Sequence, residues 1–142
     1  MKTSRIRTAT VFKLKSKEGN QMSNLPHKHN HKTEELMDIM PDPKIFEMST
    51  DLFSILSDVS RVRILWLLCH TEDCVANIAA AVDMSSPAVS HHLKLLKSAN
   101  ILKYKKNGKE VYYTLADNEK ANEVHKIIDT VFHMGCFTDL IP

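Results

Sequence analysis

The stretch Ser85-Ser86-Pro87-Ala88-Val89-Ser90-His91-His92-Leu93-Lys94-Leu95-Leu96 decides the fold. A Ser86 hydroxyl can accept from the free amides of a first helical turn, and Pro87 then stands where its missing N–H costs nothing. The spacing therefore predicts a helix that begins here with Ser86 as its cap. Val89, Leu93 and Leu96 recur at i, i+4 and i+7, so they share one face and point into a core. The opposite face carries Ser90, His91 and Lys94 and no acid. A helix that enters a DNA major groove needs such a face, because basic groups bind phosphate and short polar side chains near its start read base edges. The plainer alternative is an amphipathic helix whose polar face is merely solvated.

The residues C-terminal to the helix argue against that alternative. Lys94, Lys97, Lys103, Lys105, Lys106 and Lys109 fall within sixteen residues that contain no carboxylate, a run that repels itself unless an anion lies nearby. Segments 101–106 and 110–115 flank Asn107-Gly108, and Asn-Gly is a strong signal for a short hairpin because both residues tolerate positive φ. A helix, a short link and a basic-tipped hairpin make a winged helix-turn-helix, mostly α with a two-stranded β wing. Ser85, Ser86, Ser90, His91, Lys94, Lys105, Lys106 and Lys109 are its expected contacts with double-stranded DNA.

Taken in combination, Asp58-Val59-Ser60-Arg61-Val62-Arg63-Ile64-Leu65, Asp73-Cys74-Val75-Ala76-Asn77-Ile78-Ala79, Val89-Ser90-His91-His92-Leu93 and Val111-Tyr112-Tyr113-Thr114-Leu115-Ala116-Asp117 resemble the ArsR/SmtB metal-sensing repressors of bacteria. The resemblance covers residues 42 to 134. It implies a homodimer, built through flanking N- and C-terminal helices, that holds operator DNA and releases it when a divalent metal, Zn(II) or another transition ion, acts as inducer.

In the resembled family the final helices of two subunits run antiparallel, so that ligands from one helix start meet ligands from the other helix end. The start positions here hold Asp117 and Glu119, and the end positions hold Thr130 and His133. Thr130 is a poor zinc ligand, and histidine is the commoner residue where Glu119 stands. Asp129, four residues before His133, fills the gap on the same helix side. The expected metal set is thus Asp117, Glu119, Asp129 and His133, which suits zinc with one imidazole and several oxygens. The alternative for these residues is ordinary capping and dipole compensation at a helix start. A second family site matches Cys74, but its usual partner cysteine is Ala76. A second candidate set therefore joins Cys74 to His27, His29 and His31, since alternate residues of an extended segment face one way. A further alternative is a repressor that senses oxidants or reactive sulfur through Cys74 and Cys136. A metal-independent winged-helix regulator is another.

Composition narrows the class further. At 142 residues the length fits one domain, and 43% hydrophobic residues indicate a globular chain. Three glycines leave little room for a phosphate-binding loop, and no nucleotide fingerprint occurs. The net charge of +2 hides a separation, with lysines at 94–109 and the acids Asp117, Glu119, Glu123, Asp129 and Asp139 after them. No nucleophile and base can be paired from the motifs, so an enzyme such as a metal hydrolase is not expected. Three unevenly spaced cysteines and the lack of a signal-like segment predict a reducing cytoplasm. The longest apolar run, 64–69, is far short of the roughly 20 residues that cross a bilayer.

The predicted organisation is a flexible N-terminal segment 1–41, the winged domain 42–136 and a tail 137–142. Within the first segment, Lys17-Glu18-Gly19 can be encoded by a purine-rich, ribosome-binding type of sequence just before Met22. Residues 1–21 are therefore expected to lie outside the native protein, leaving a histidine-containing arm, 22–41. The alternative is a basic arm that adds non-specific DNA affinity, and native peptides from 1–21 would establish it. Further along, Asp42 before Pro43 predicts a helix start, Asp58 caps a helix to about Cys69, residues 75–82 form the next, and Asp117 caps a last helix to about His133. Arg61 and Arg63 lie off their helix's apolar stripe and are expected near the DNA backbone.

Overall fold

The computed structural model describes residues 25–27 and 32–132. Its elements are α1 (Lys32–Asp38), α2 (Pro43–Leu56), α3 (Val59–Leu68), β1 (Asp73–Cys74), α4 (Val75–Val82), α5 (Ser86–Ser98), β2 (Leu102–Asn107), β3 (Glu110–Leu115) and α6 (Glu119–Val131). Two compact units meet in sequence between Ser49 and Thr50. The first contains α1, a short helix with no buried residue, in the segment predicted as an arm. No helix among the described residues is long and apolar enough to cross a membrane.

The second unit holds the core. Ile64, Leu65, Ile78, Val89, Leu93, Leu96, Ile101 and Val124 are fully buried, so α3, α4, α5 and α6 all contribute a face to it. The i, i+4, i+7 triad of α5 is thus its anchor, as the periodicity requires. Caps set where these helices begin. Asp58 accepts from Arg61 N at 2.9 Å at the start of α3, and Asp42 accepts from Lys44 N at 2.9 Å at the start of α2. Two caps differ from the expected ones. Ser85, one residue before Ser86, is the cap of α5 and accepts from Ala88 N at 3.3 Å. Asn118 caps α6 through Ala121 N at 2.9 Å, leaving Asp117 outside the helix. Either neighbour offers suitable side-chain chemistry, and the backbone turn before each helix selects between them.

Sharp turns occur without glycine. Asp83 and Asn100 adopt φ of 55° and 61°, which their short polar side chains tolerate. After α4, Met84 N bonds Ala79 O at 3.0 Å and Asp83 N bonds Ala80 O at 3.3 Å. After α5, Ile101 N bonds Leu96 O at 3.0 Å and Asn100 N bonds Lys97 O at 2.9 Å. Both are Schellman closures, and in the second the buried pair Leu96 and Ile101 makes the accompanying apolar contact. The Asn118 side chain also donates to Asn100 O at 2.8 Å, fixing the start of α6 to the end of α5.

The sheet has order β1-β3-β2, all antiparallel. Its hairpin differs by one residue from the expected one. Asn107 pairs with Glu110, so Gly108 and Lys109 form the loop. Gly108 has φ of 63° at the first loop position, where a type II′ turn needs it. The third strand, β1, escapes sequence reading because its two residues are defined only by pairing Asp73 with Tyr113 and Cys74 with Tyr112.

Candidate nucleic-acid interface and metal-binding residues

Anchoring α5 through Val89, Leu93 and Leu96 turns its other side outward. Ser85, Ser86, His91 and Lys94 are exposed, and Ser90 is half-buried between the two faces. No acid occurs within α5, so this surface carries only neutral and cationic groups. Adjacent to it stands the wing. Cross-strand pairs Lys103 with Thr114 and Lys105 with Tyr112 lie on one face, whereas Tyr104 with Tyr113 and Lys106 with Val111 lie on the other.

The lysine run proves unequal in three dimensions. Lys103 is ion-paired to Asp117, and Lys105 Nζ lies 2.6 Å from Glu72 Oε1. Lys97 Nζ sits 4.0 Å over the Tyr104 ring, a cation–π contact. Carboxylates absent from the run in sequence thus reach it in space. Lys94, Lys106 and Lys109 have no ion-pair partner among the described residues. Nearby, the Tyr112 hydroxyl donates to Glu110 Oε2 at 3.0 Å, and this bond pushes its pKa above the usual tyrosine value.

Arg61, expected near the DNA backbone, is engaged within its own chain. Its Nε donates to Ile55 O at 2.8 Å and its Nη2 to Ser54 O at 3.0 Å, so it satisfies carbonyls at the end of α2. Arg63 remains exposed.

Of the expected metal ligands, Asp117 is engaged with Lys103 and Glu119 is exposed on the first turn of α6. His133 lies outside the described residues, as do His29, His31 and Cys136. His27 is exposed. Cys74 is only 6% exposed, held in β1 and packed as a small apolar residue.

Asp129 has company that sequence reading missed. Its Oδ1 lies 3.6 Å from His70 Nε2 and its Oδ2 lies 3.4 Å from His125 Nε2. One donor atom from each of the three residues falls within 4.8 Å of the others. His125 and Asp129 are an i, i+4 pair on α6 and were legible as such. His70 follows the end of α3, and only the packing of α3 on α6 brings it to them.

The sequence and fold have known counterparts. Residues 58–104 match the family model described as bacterial regulatory protein, arsR family. A cadmium resistance transcriptional regulatory protein CadC homolog from Staphylococcus aureus is 43% identical over 76 residues, 53% of this chain and 63% of that protein. The HTH-type transcriptional repressor SmtB of Mycobacterium tuberculosis is 34% identical over 95 residues, 67% of this chain and 68% of the relative. The match thus spans less than two thirds of the Staphylococcus protein and slightly more than two thirds of the mycobacterial one. Among solved structures, a homodimeric winged helix-turn-helix DNA-binding domain from Mycobacterium bovis aligns with a TM-score of 0.55 and 26% identity. That alignment covers 68% of this chain and 90% of the other. A winged helix-turn-helix with these sequence relatives belongs to the ArsR/SmtB family of bacterial regulatory proteins.

Proposed function

We propose that this protein is a homodimeric transcriptional repressor of the cytoplasm that binds a pseudo-palindromic double-stranded operator and releases it on binding a divalent metal, Zn(II) or a similar transition ion. The observation that carries the reading is the outward face of α5. It is anchored from behind by three fully buried residues, lacks any acid, and stands beside a wing whose Lys106 and Lys109 have no ion-pair partner among the described residues. Ser85, Ser86, Ser90, His91 and Lys94 would meet the groove, while Lys105, Lys106 and Lys109 would hold phosphate. Two-fold pairing supplies a second α5 for the next major groove, one helical turn away.

The names of the relatives support a repressor, and the cadmium-resistance regulator supports a metal effector. Oxygen ligands at Asp117 and Glu119 of one subunit, with His133 of another, are the proposed intersubunit set, and Asp129, expected to join them, lies beside His70 and His125 instead. Loading that set would stabilise a dimer geometry in which the two α5 helices no longer fit successive grooves. DNA must then weaken metal binding by the same factor by which metal weakens DNA binding.

Fluorescence anisotropy on the operator with and without Zn(II) tests the reading. The native protein should bind tightly without metal and weakly with it, whereas Asp117→Ala/His133→Ala should bind tightly in both states. Equal affinity of the native protein in the two states would remove the metal switch, and no preference for operator over random DNA would remove the repressor.

A further inference from the structure

We propose that His70, His125 and Asp129 form a binding site for a zinc-type divalent ion inside a single subunit, between the end of α3 and the middle of α6. The inference deepens the proposed function and rests on it only for coupling to DNA, because metal binding at this site is measurable without any DNA.

Geometry comes first. A tetrahedral zinc with ligand bonds of about 2.0–2.2 Å separates neighbouring ligand atoms by roughly 3.3–3.5 Å. Asp129 reaches the two imidazoles through different oxygens, Oδ1 lying 3.6 Å from His70 Nε2 and Oδ2 3.4 Å from His125 Nε2, so its carboxylate stands between the two rings. One donor atom from each residue lies within 4.8 Å of the other two, and binding an ion would draw that set together. The two imidazole planes stand 83° apart with centroids separated by 5.6 Å, so their Nε2 atoms approach the carboxylate from different directions.

Protonation agrees with ligation. His70 Nδ1 lies 2.6 Å from Trp66 O, and a carbonyl oxygen can only accept, so the Nδ1 proton is fixed there. In the neutral ring the lone pair is then on Nε2, the atom that faces Asp129. An outer hydrogen bond of this kind is also what orients metal-ligating histidines. The side chains are 12%, 24% and 17% exposed for His70, His125 and Asp129, so water screens an ion there less than at the surface while leaving a path for entry.

Ligand chemistry selects the ion. Two imidazoles and one carboxylate suit Zn(II), Co(II) or Ni(II), too poor in oxygen for calcium or magnesium and lacking the thiolates that soft ions prefer. Three protein ligands leave a fourth position for water or another side chain. An ion here would tie α3, which leads through β1 into α4 and α5, to α6.

The test titrates the full-length protein with Co(II) and then Zn(II), reading visible absorption, and follows histidine side-chain nitrogen resonances of the native chain by NMR. The expected result is a shift of His70 and His125 Nε2 at the first equivalents of Zn(II). His70→Gln, His125→Gln and Asp129→Asn should each weaken that binding by about 100-fold or more. Asp117→Ala/His133→Ala should leave it intact. Unmoved His70 and His125 resonances, which would indicate a protonated imidazole–carboxylate cluster only, overturn the site even if a substituted chain fails to fold. So does native-like affinity in folded His70→Gln and His125→Gln. Either result leaves the repressor reading standing, whereas a protein that loads this site but ignores operator DNA keeps the site and loses the repressor.

Discussion

Asp58 shows how much one half-buried carboxylate can decide. It accepts from Arg61 N at 2.9 Å, and that backbone bond, helped by the nearby Arg61 and His92 charges, holds its pKa below the ordinary aspartate value. The folded chain therefore gives up this proton more readily than the unfolded chain. The cap contributes fully above the ordinary aspartate range, near 3.9, and its contribution disappears as pH falls through the lower folded value. Asparagine caps as well but does not titrate. Asp58→Asn should accordingly match the native melting temperature near neutrality once its cap is formed, and show a flatter acid limb in melts run from pH 5 downward. At the wing, Lys106 and Lys105 make a similar contrast, because among the described residues Lys105 has a carboxylate partner, Glu72 at 2.6 Å, and Lys106 has none. Lys106→Ala should weaken binding to every DNA sequence and reduce the slope of log affinity against log salt by about 1. Lys105→Ala should change the slope less, and equal slopes in all three proteins would deny the wing a phosphate contact.

Elements were legible wherever their signal is local. The anchoring triad of α5 follows from helical periodicity alone, and α4 begins and ends where the sequence places it, at Val75 and Val82. Features that depend on partners were not. The hairpin loop moved to Gly108 and Lys109 because cross-strand pairing sets its register, and the β1 residues have no strand pattern of their own. His70 could not be joined to His125 from sequence, since the link is tertiary packing. The start of α5 lies between these cases: two adjacent serines are chemically equivalent caps, and only backbone geometry assigns Ser85. Their substitution separates them. Ser85→Ala should cost about 0.5–1 kcal/mol, the lower part of the capping range because the bond to Ala88 N is long at 3.3 Å. Ser86→Ala, at an exposed first-turn position, should change stability by less than about 0.5 kcal/mol in urea denaturation. A larger loss at Ser86 than at Ser85 would restore Ser86 as the cap.

For the whole molecule, the question is what covers the apolar groups that one subunit leaves in water. Ala121, Val124 and Ile128 bury one side of α6 in its own core, so that side is not available to a second chain. Val131 and Phe132 at the other end of α6 are 64% and 46% exposed, and Phe53 on α2 is 61% exposed. A protein with one α5 per chain reaches only one major groove, and specific operator affinity needs a second reader held one turn of DNA away. In the proposed dimer, exposed apolar residues at the end of α6 and on α2 are the surface that such pairing would bury. Val131→Lys/Phe132→Lys places two like charges there without touching the core. It should keep the native circular dichroism spectrum and melt cooperatively, yet sediment as a monomer at concentrations where the proposed dimer of the unsubstituted chain forms. Because specific sites are held about 10³-fold or more tightly than random DNA, loss of the second half-site should weaken operator binding by on the order of 10²-fold. Binding to random DNA, which depends on phosphate contacts made by each chain, should fall much less. A variant that remains dimeric, or a monomer with undiminished operator affinity, would place the pairing surface elsewhere on the molecule.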